Sequence, residues 1–230
     1  MSIPDRSKFQ SVSARMWLVR HGQTDWNAQR RIQGHTPTEL NAVGHQQAQV
    51  LAQWFATRSM AAIWSSDLPR AMQTAQAIAA HQSCPVIASP ALRERSLGAF
   101  EGKTWDEVRA IREEYTGHGT NNGDLADWTG IPGVESDQQL WNRIRNVLET
   151  MADNYPGENV LVVTHGGVLK HILWHVLGLP TGAPRRFTLV NGLTVVLEKR
   201  GKDFYLLSLL DMELLMGRPP ITDTAAAPSV

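Results

Sequence analysis

The chain has 230 residues, balances 22 Lys+Arg against 22 Asp+Glu, and holds one cysteine, Cys84. That length suits one α/β domain. A neutral chain lacks the basic stripe of a duplex-DNA binder, and one cysteine makes neither an intrachain disulfide nor a cysteine-built zinc site.

Residues 1–15 carry no apolar run of the signal-peptide kind. The most apolar stretch, Val160–Leu179, is interrupted by His165, Lys170, His171 and His175, so it is a poor membrane span. A cytoplasmic protein is expected, with no nucleic-acid or membrane partner. The polar start and the Pro/Ala-rich end read as tails, 1–14 and 213–230, which leaves a single domain over 15–212.

Met16–Val19 is a strand candidate. Ala48, Leu51, Ala52 and Phe55 fall at i, i+3, i+4 and i+7 and predict a helix over roughly 41–57. Ala62–Ser65 reads as a strand, followed by a helix opening at Pro69, where the missing N–H costs nothing. Pro85–Ala88 is a further short strand. The stretch 105–133 fits no strand, is Gly/Asn-rich at 117–123, and reads as an insertion covering the active site. Ser136 is a candidate N-cap for a helix through Met151. Val160–Val163 has the β-branched content of a strand buried on both faces, and Val168–Leu177 is a helix closed by Gly178 and Pro180. Thr194–Leu197 and Phe204–Leu210 predict a hairpin. The alternation implies an α/β three-layer sandwich, its mostly parallel central sheet flanked by helices.

Three strand ends carry reactive or cationic residues. Met16–Val19 runs into Arg20-His21-Gly22, Val160–Val163 into Thr164-His165-Gly166-Gly167, and Ala62–Ser65 into Ser66-Asp67-Leu68-Pro69-Arg70. Ligands of open α/β sheets bind at the carboxyl ends of strands, and the Gly-Gly pair exposes helix N–H groups that attract anions. Two histidines and two arginines thus converge on one anion.

These motifs, RHGQTDWN at 20–27, SSDLPRAMQTA at 65–75, LRERSLGAFEG at 92–102 and VVTHGGVL at 162–169, resemble the histidine phosphatase superfamily, the phosphoglycerate mutase-like enzymes. The resemblance spans about residues 15 to 210 with the motifs in the family's order. It implies that His21 becomes a phosphohistidine, that Arg20, Arg70 and His165 hold phosphoryl oxygens, and that Glu94 is the general acid. It also implies that Asn27 lies near the same phosphate and that Gln33 and Gly34 form a substrate-contacting loop. The chemistry agrees with these roles. Phosphoryl transfer depends on positioning and on cationic stabilisation of spread negative charge. Arginine's planar fork suits phosphate oxygens, and a neutral imidazole is a competent nucleophile near pH 7. Arginines and His165 supply the positive charge, so neither metal nor cofactor is expected.

His171 and His175 stand at i, i+4, but residue 172 is Ile, so the glutamate of an H-E-x-x-H zinc motif is missing. His35, His45, His81 and His118 read as surface or loop residues, and Arg95 as an ion-pair or phosphate-rim residue. Trp17, Trp54, Trp64, Trp141 and Trp174 fall in core patterns, and Trp26 is expected behind the phosphate loop. Trp105 and Trp128 lie in the covering segment, where an aromatic face can stack on a substrate.

The family's mutases carry a pattern similar to N-E-R-H-Y-G at the glutamate, a lysine at the position of Trp105, and an arginine pair in the segment that follows. Here Leu97 stands at the tyrosine, and no Arg-Arg pair occurs between Glu113 and Leu140. Pro37 replaces a frequent aspartate, and Gly133-Val134-Glu135-Ser136 resembles the family's G-G-E-S. The expected activity is metal-independent hydrolysis of a small phosphorylated metabolite through a phosphohistidine. The alternatives are a mutase-type phosphotransferase and a catalytically silent phospholigand-binding module. The sequence indicates neither the substrate nor an oligomeric state.

Overall fold

Six strands form one sheet among the residues that the computed structural model describes, 14–116, 132–180 and 186–217. They are β1 (Arg15–Arg20), β2 (Ala62–Ser65), β3 (Val86–Ala88), β4 (Asn159–Thr164), β5 (Thr194–Arg200) and β6 (Asp203–Leu210). Their order is β3-β2-β4-β1-β5-β6. The first four run parallel, β5 lies antiparallel to β1, and β5–β6 is the expected hairpin.

The helices are α1 (Asp25–Ala28), α2 (Ala42–Phe55), α3 (Pro69–Ala79), α4 (Trp105–Thr116), α5 (Asp137–Asn154), α6 (Gly166–Val176) and α7 (Met212–Leu215). Alternation along the strands sends side chains to two cores. Met16, Leu18, Val160 and Val162 pack with Leu140, Ile144 and Leu148 of α5 and Leu169, Ile172 and Leu173 of α6. Val19, Ile63, Leu161 and Val163 pack on the other face with Leu51 and Phe55 of α2 and Ala71, Ala75 and Ile78 of α3. Both faces of the parallel strands are therefore covered, which accounts for the continuous apolar run of β4.

Three departures from the sequence reading have physical reasons. The segment read as a covering insertion that fits no strand opens with a helix the sequence reading did not give, α4, whose Val108 packs with Ile32, Leu97 and Phe100; residues 117–131, with His118 and Trp128, lie outside the described residues. The chain also does not become a tail at 213, because α7 continues there and buries Leu215 in the core beside α2. Of the five tryptophans expected in the core, only Trp174 is fully buried, while Trp17, Trp54, Trp64 and Trp141 are half-buried against it. Among the described residues, no helix is long and apolar enough to cross a membrane.

Candidate active site

Strand register brings the three motif-bearing strand ends together. Arg20 of β1 pairs with Thr164 of β4, and Ser65 of β2 pairs with Val163 of β4. The next residues, His21, His165 and Ser66, therefore emerge side by side. Backbone bonds continue the ladder, with the His21 N–H donating to Thr164 O at 3.0 Å and the Ser66 N–H to Val163 O at 2.9 Å. The imidazoles of His21 and His165 lie edge to face, their centroids 5.1 Å apart.

His21 is 3% exposed. Its Nδ1 lies 2.7 Å from the Gly22 carbonyl, which only accepts, so Nδ1 carries the proton and Nε2 keeps a lone pair. Burial holds the imidazole well below its ordinary value near 6.5, and the Arg70 and Arg20 charges add to the shift. The result is a neutral ring with an available nucleophilic nitrogen. The Gly22 N–H donates to Thr74 Oγ1, whose hydroxyl donates to Arg70 O, so β1's exit is tied to α3. The Gly22 backbone also passes so close to Gly44 that a Cβ there would lie 2.5 Å from Gly44 O.

His165 is the N-cap residue of α6. Its Nε2 lies 2.7 Å from Ser66 Oγ, which already accepts the Leu68 N–H. A hydroxyl accepts twice and donates once, so with its proton directed at Nε2 the ring's own proton sits on Nδ1. That Nδ1 is buried without a partner among the described residues. Burial, followed by the Arg70 charge, keeps this ring neutral as well.

Arg70 is fully buried in the first turn of α3. Nη1 donates to Thr36 O and Thr38 Oγ1, and Nη2 to Gly34 O. Of the five guanidinium N–H groups, those three bonds leave the buried Nε–H and one N–H on Nη2, a set able to take two oxygens of one anion. Burial pulls the guanidinium down to about 10, still a cation at neutral pH. Arg20 donates through Nη1 to Leu189 O and lies against Gly166, where a Cβ would come 3.3 Å from its Nε.

Glu94 follows the 3₁₀ turn Pro90–Leu92. Its Oε1 accepts the Arg95 N–H and its Oε2 the Gly167 N–H, both at 2.9 Å. The carboxyl is thus held by two backbone donors. Its own carbonyl accepts from His35 Nε2 at 2.8 Å and Arg143 Nη2 at 3.0 Å. Arg143 also donates to Ala91 O and Arg93 O and pairs with Glu135. Thr164 Oγ1 donates to Leu92 O and fastens this turn to β4.

The other predicted residues divide. Asn27 closes a capping box with Thr24 at α1, and Asn191 Nδ2 donates both to its Oδ1 and to His21 O. Gln33 uses Oε1 to accept from Thr24 and Thr38 hydroxyls, and Gly34 contributes the carbonyl that orients Arg70. This loop therefore orients the Arg70 guanidinium. Trp26 packs against Gly102. Trp105 is the first residue of α4 and is 45% exposed. Arg95 forms its expected ion pair, with Asp137. His171 has both ring nitrogens engaged, by Gly167 O and Asp137, and His175 stacks on Trp141.

Sequence reasoning missed Ser66, Asn191, Arg143 and the role of His35. Ser66 was findable, since it stands at a motif-bearing strand end. Asn191 and Arg143 reach the site only through tertiary packing.

The sequence pattern of the histidine phosphatase superfamily (branch 1) matches residues 16–211. Phosphoglycerate mutase-like protein 4 of Arabidopsis thaliana is 41% identical over 175 residues, covering 73% of this chain and 74% of that one. The metal-independent phosphoserine phosphatase of the same plant is 38% identical over 212 residues, 90% and 86% of the two chains. The solved phosphoserine phosphatase of Entamoeba histolytica, in complex with 3-phosphoglyceric acid, superposes with a TM-score of 0.72 at 27% identity, covering 88% and 99% of the chains.

Proposed function

We propose that this chain, which belongs to branch 1 of the histidine phosphatase superfamily and is a phosphoric monoester hydrolase of that type, works through His21 as nucleophile and Glu94 as proton donor. Nε2 of His21 attacks phosphorus, and the P–O bond to the leaving group breaks. Glu94 gives the departing oxygen its proton. Water then attacks the phosphohistidine, Glu94 takes the water's proton, and inorganic phosphate leaves. Arg20, the free N–H groups of Arg70 and the Nδ1–H of His165 face the charge that spreads over the phosphoryl oxygens.

The observation that carries this reading is the buried, neutral His21, its Nδ1–H fixed on Gly22 O and its Nε2 available beside two arginines. Metal independence and a cytoplasmic location belong to the same reading. A mutase-type transfer is the second possibility, raised by the mutase-like relative. Against it, the position of the mutase tyrosine is Leu97, which is packed with Ile32, Phe100 and Val108 rather than presented as a polar contact.

The test is phosphate release from p-nitrophenyl phosphate with EDTA present. Wild type is expected to keep full activity and His21→Ala to lose it; activity in His21→Ala would refute the assignment. A panel of phosphorylated metabolites, including the phosphoserine and 3-phosphoglycerate of the relatives, then identifies the substrate.

A further inference from the structure

The two N–H groups that hold the Glu94 carboxyl belong to Arg95 and Gly167. Both residues are tied, at their other ends, to a single side chain. The Arg95 guanidinium, buried beneath the site, ion-pairs with Oδ1 of Asp137. The Gly167 carbonyl lies 2.9 Å from Nδ1 of His171, and Nε2 of that ring lies 2.9 Å from the same Oδ1. A carbonyl only accepts, so Nδ1 of His171 donates to Gly167, while Nε2 stands at hydrogen-bond distance from Asp137.

Asp137 is itself anchored. It is the first residue of α5, directly after the Ser136 N-cap, whose capping box with Gln139 fixes the helix start. A carboxylate there also suits the positive end of the helix. One helix terminus thus sets both donors, through Arg95 on one side and through His171 and Gly167 on the other. Neither Asp137 nor His171 takes part in the chemistry proposed above.

We infer that Asp137 is a positioning residue for Glu94: with His171 and Arg95 it fixes the spacing of the two N–H groups between which the carboxyl is held. This rests on Glu94 being the proton donor. An ion pair serving stability alone would slow all substrates alike. A positioning role is felt only where the leaving group needs a proton, since nitrophenolate departs without one and an alkoxide does not.

The experiment compares kcat/KM for p-nitrophenyl phosphate and β-glycerophosphate in wild type, Asp137→Asn, His171→Gln, Glu94→Gln and the Asp137→Asn/Glu94→Gln double variant. This ratio reports the steps through departure of the leaving group. Asp137→Asn is expected to lower the alkyl value about tenfold or more and the aryl value by less than about twofold, as misplacement of a reacting group does. His171→Gln should act in the same direction, and it keeps the test open if Asp137→Asn does not fold. In the Glu94→Gln background Asp137→Asn should add less than about twofold, because coupled residues are not additive. Equal losses on both substrates, an unchanged alkyl-to-aryl ratio, or a full Asp137→Asn effect without Glu94 would overturn the inference. Should Glu94→Gln itself fail to separate the two substrates, the proton-donor assignment falls instead.

Discussion

Glu94 and Gly167, 73 residues apart in the chain, meet through a 2.9 Å bond from the Gly167 N–H to Oε2 of the carboxyl. The approach requires glycine, since a Cβ at 167 would lie 2.1 Å from Glu94 Oε1. Gly167 sits in the first turn of α6 without a left-handed backbone, so alanine is compatible with the helix and is the better helix former by roughly 0.5–1 kcal/mol. Gly167→Ala should therefore keep or slightly raise the melting temperature while cutting turnover of alkyl phosphates about tenfold or more. A stable Gly167→Ala enzyme with normal alkyl-phosphate turnover would show that this contact does not place the acid.

In the proposed mechanism Ser66 sets the tautomer of His165 by donating to Nε2. With the hydroxyl gone, nothing holds the ring proton on Nδ1, the nitrogen that the proposal aims at the phosphoryl group. A hydrogen bond of this kind is worth about 1 kcal/mol, so Ser66→Ala should weaken binding of vanadate or inorganic phosphate roughly fivefold. Titration calorimetry measures this directly, and unchanged affinity would mean that Nδ1 keeps its proton unaided.

His21 and His165 are both buried, with values well below 6.5. In the unfolded chain each binds a proton as pH falls through about 6.5, whereas in the folded protein neither does until far lower pH. The unfolded state then holds more protons, so stability declines below pH 6.5 and is unaffected by these groups above it. Between pH 7 and 5.5 the cost is about 1 kcal/mol for each histidine. Urea unfolding of wild type and of His21→Gln/His165→Gln should diverge by roughly 2 kcal/mol over this interval, the double variant being the flatter. Parallel curves would place protons on the native histidines.

The legible parts of this molecule are those written in local periodicity. β2 falls at Ala62–Ser65 and the N-cap of α5 at Ser136, as read from strand composition and capping chemistry. The strand ends were legible too, because an Arg-His-Gly or His-Gly-Gly after a β-branched run interrupts an apolar pattern with chemistry. What could not be read is how Glu94 is held. Its donors come from Arg95 and from a helix 73 residues away, and its carbonyl is bound by His35, a residue that reads as a loop histidine. Arg143 sits in an amphipathic helix two residues from the exposed Arg145, and only packing of α5 against the 90–94 turn distinguishes it. Likewise α7 is a single turn, too short to show a period, and only burial of Leu215 reveals that it belongs to the core.

The central claim is covalent: His21 carries the phosphoryl group between substrate and water. The most direct measurement is rapid mixing with radiolabelled phosphomonoester, quenching without acid, and peptide mapping by mass spectrometry. A label on the peptide containing His21, absent in His21→Ala and accumulating in Glu94→Gln with an aryl substrate, is the predicted result. Turnover of wild type with no labelled enzyme at any time, or a label on another residue, would contradict it.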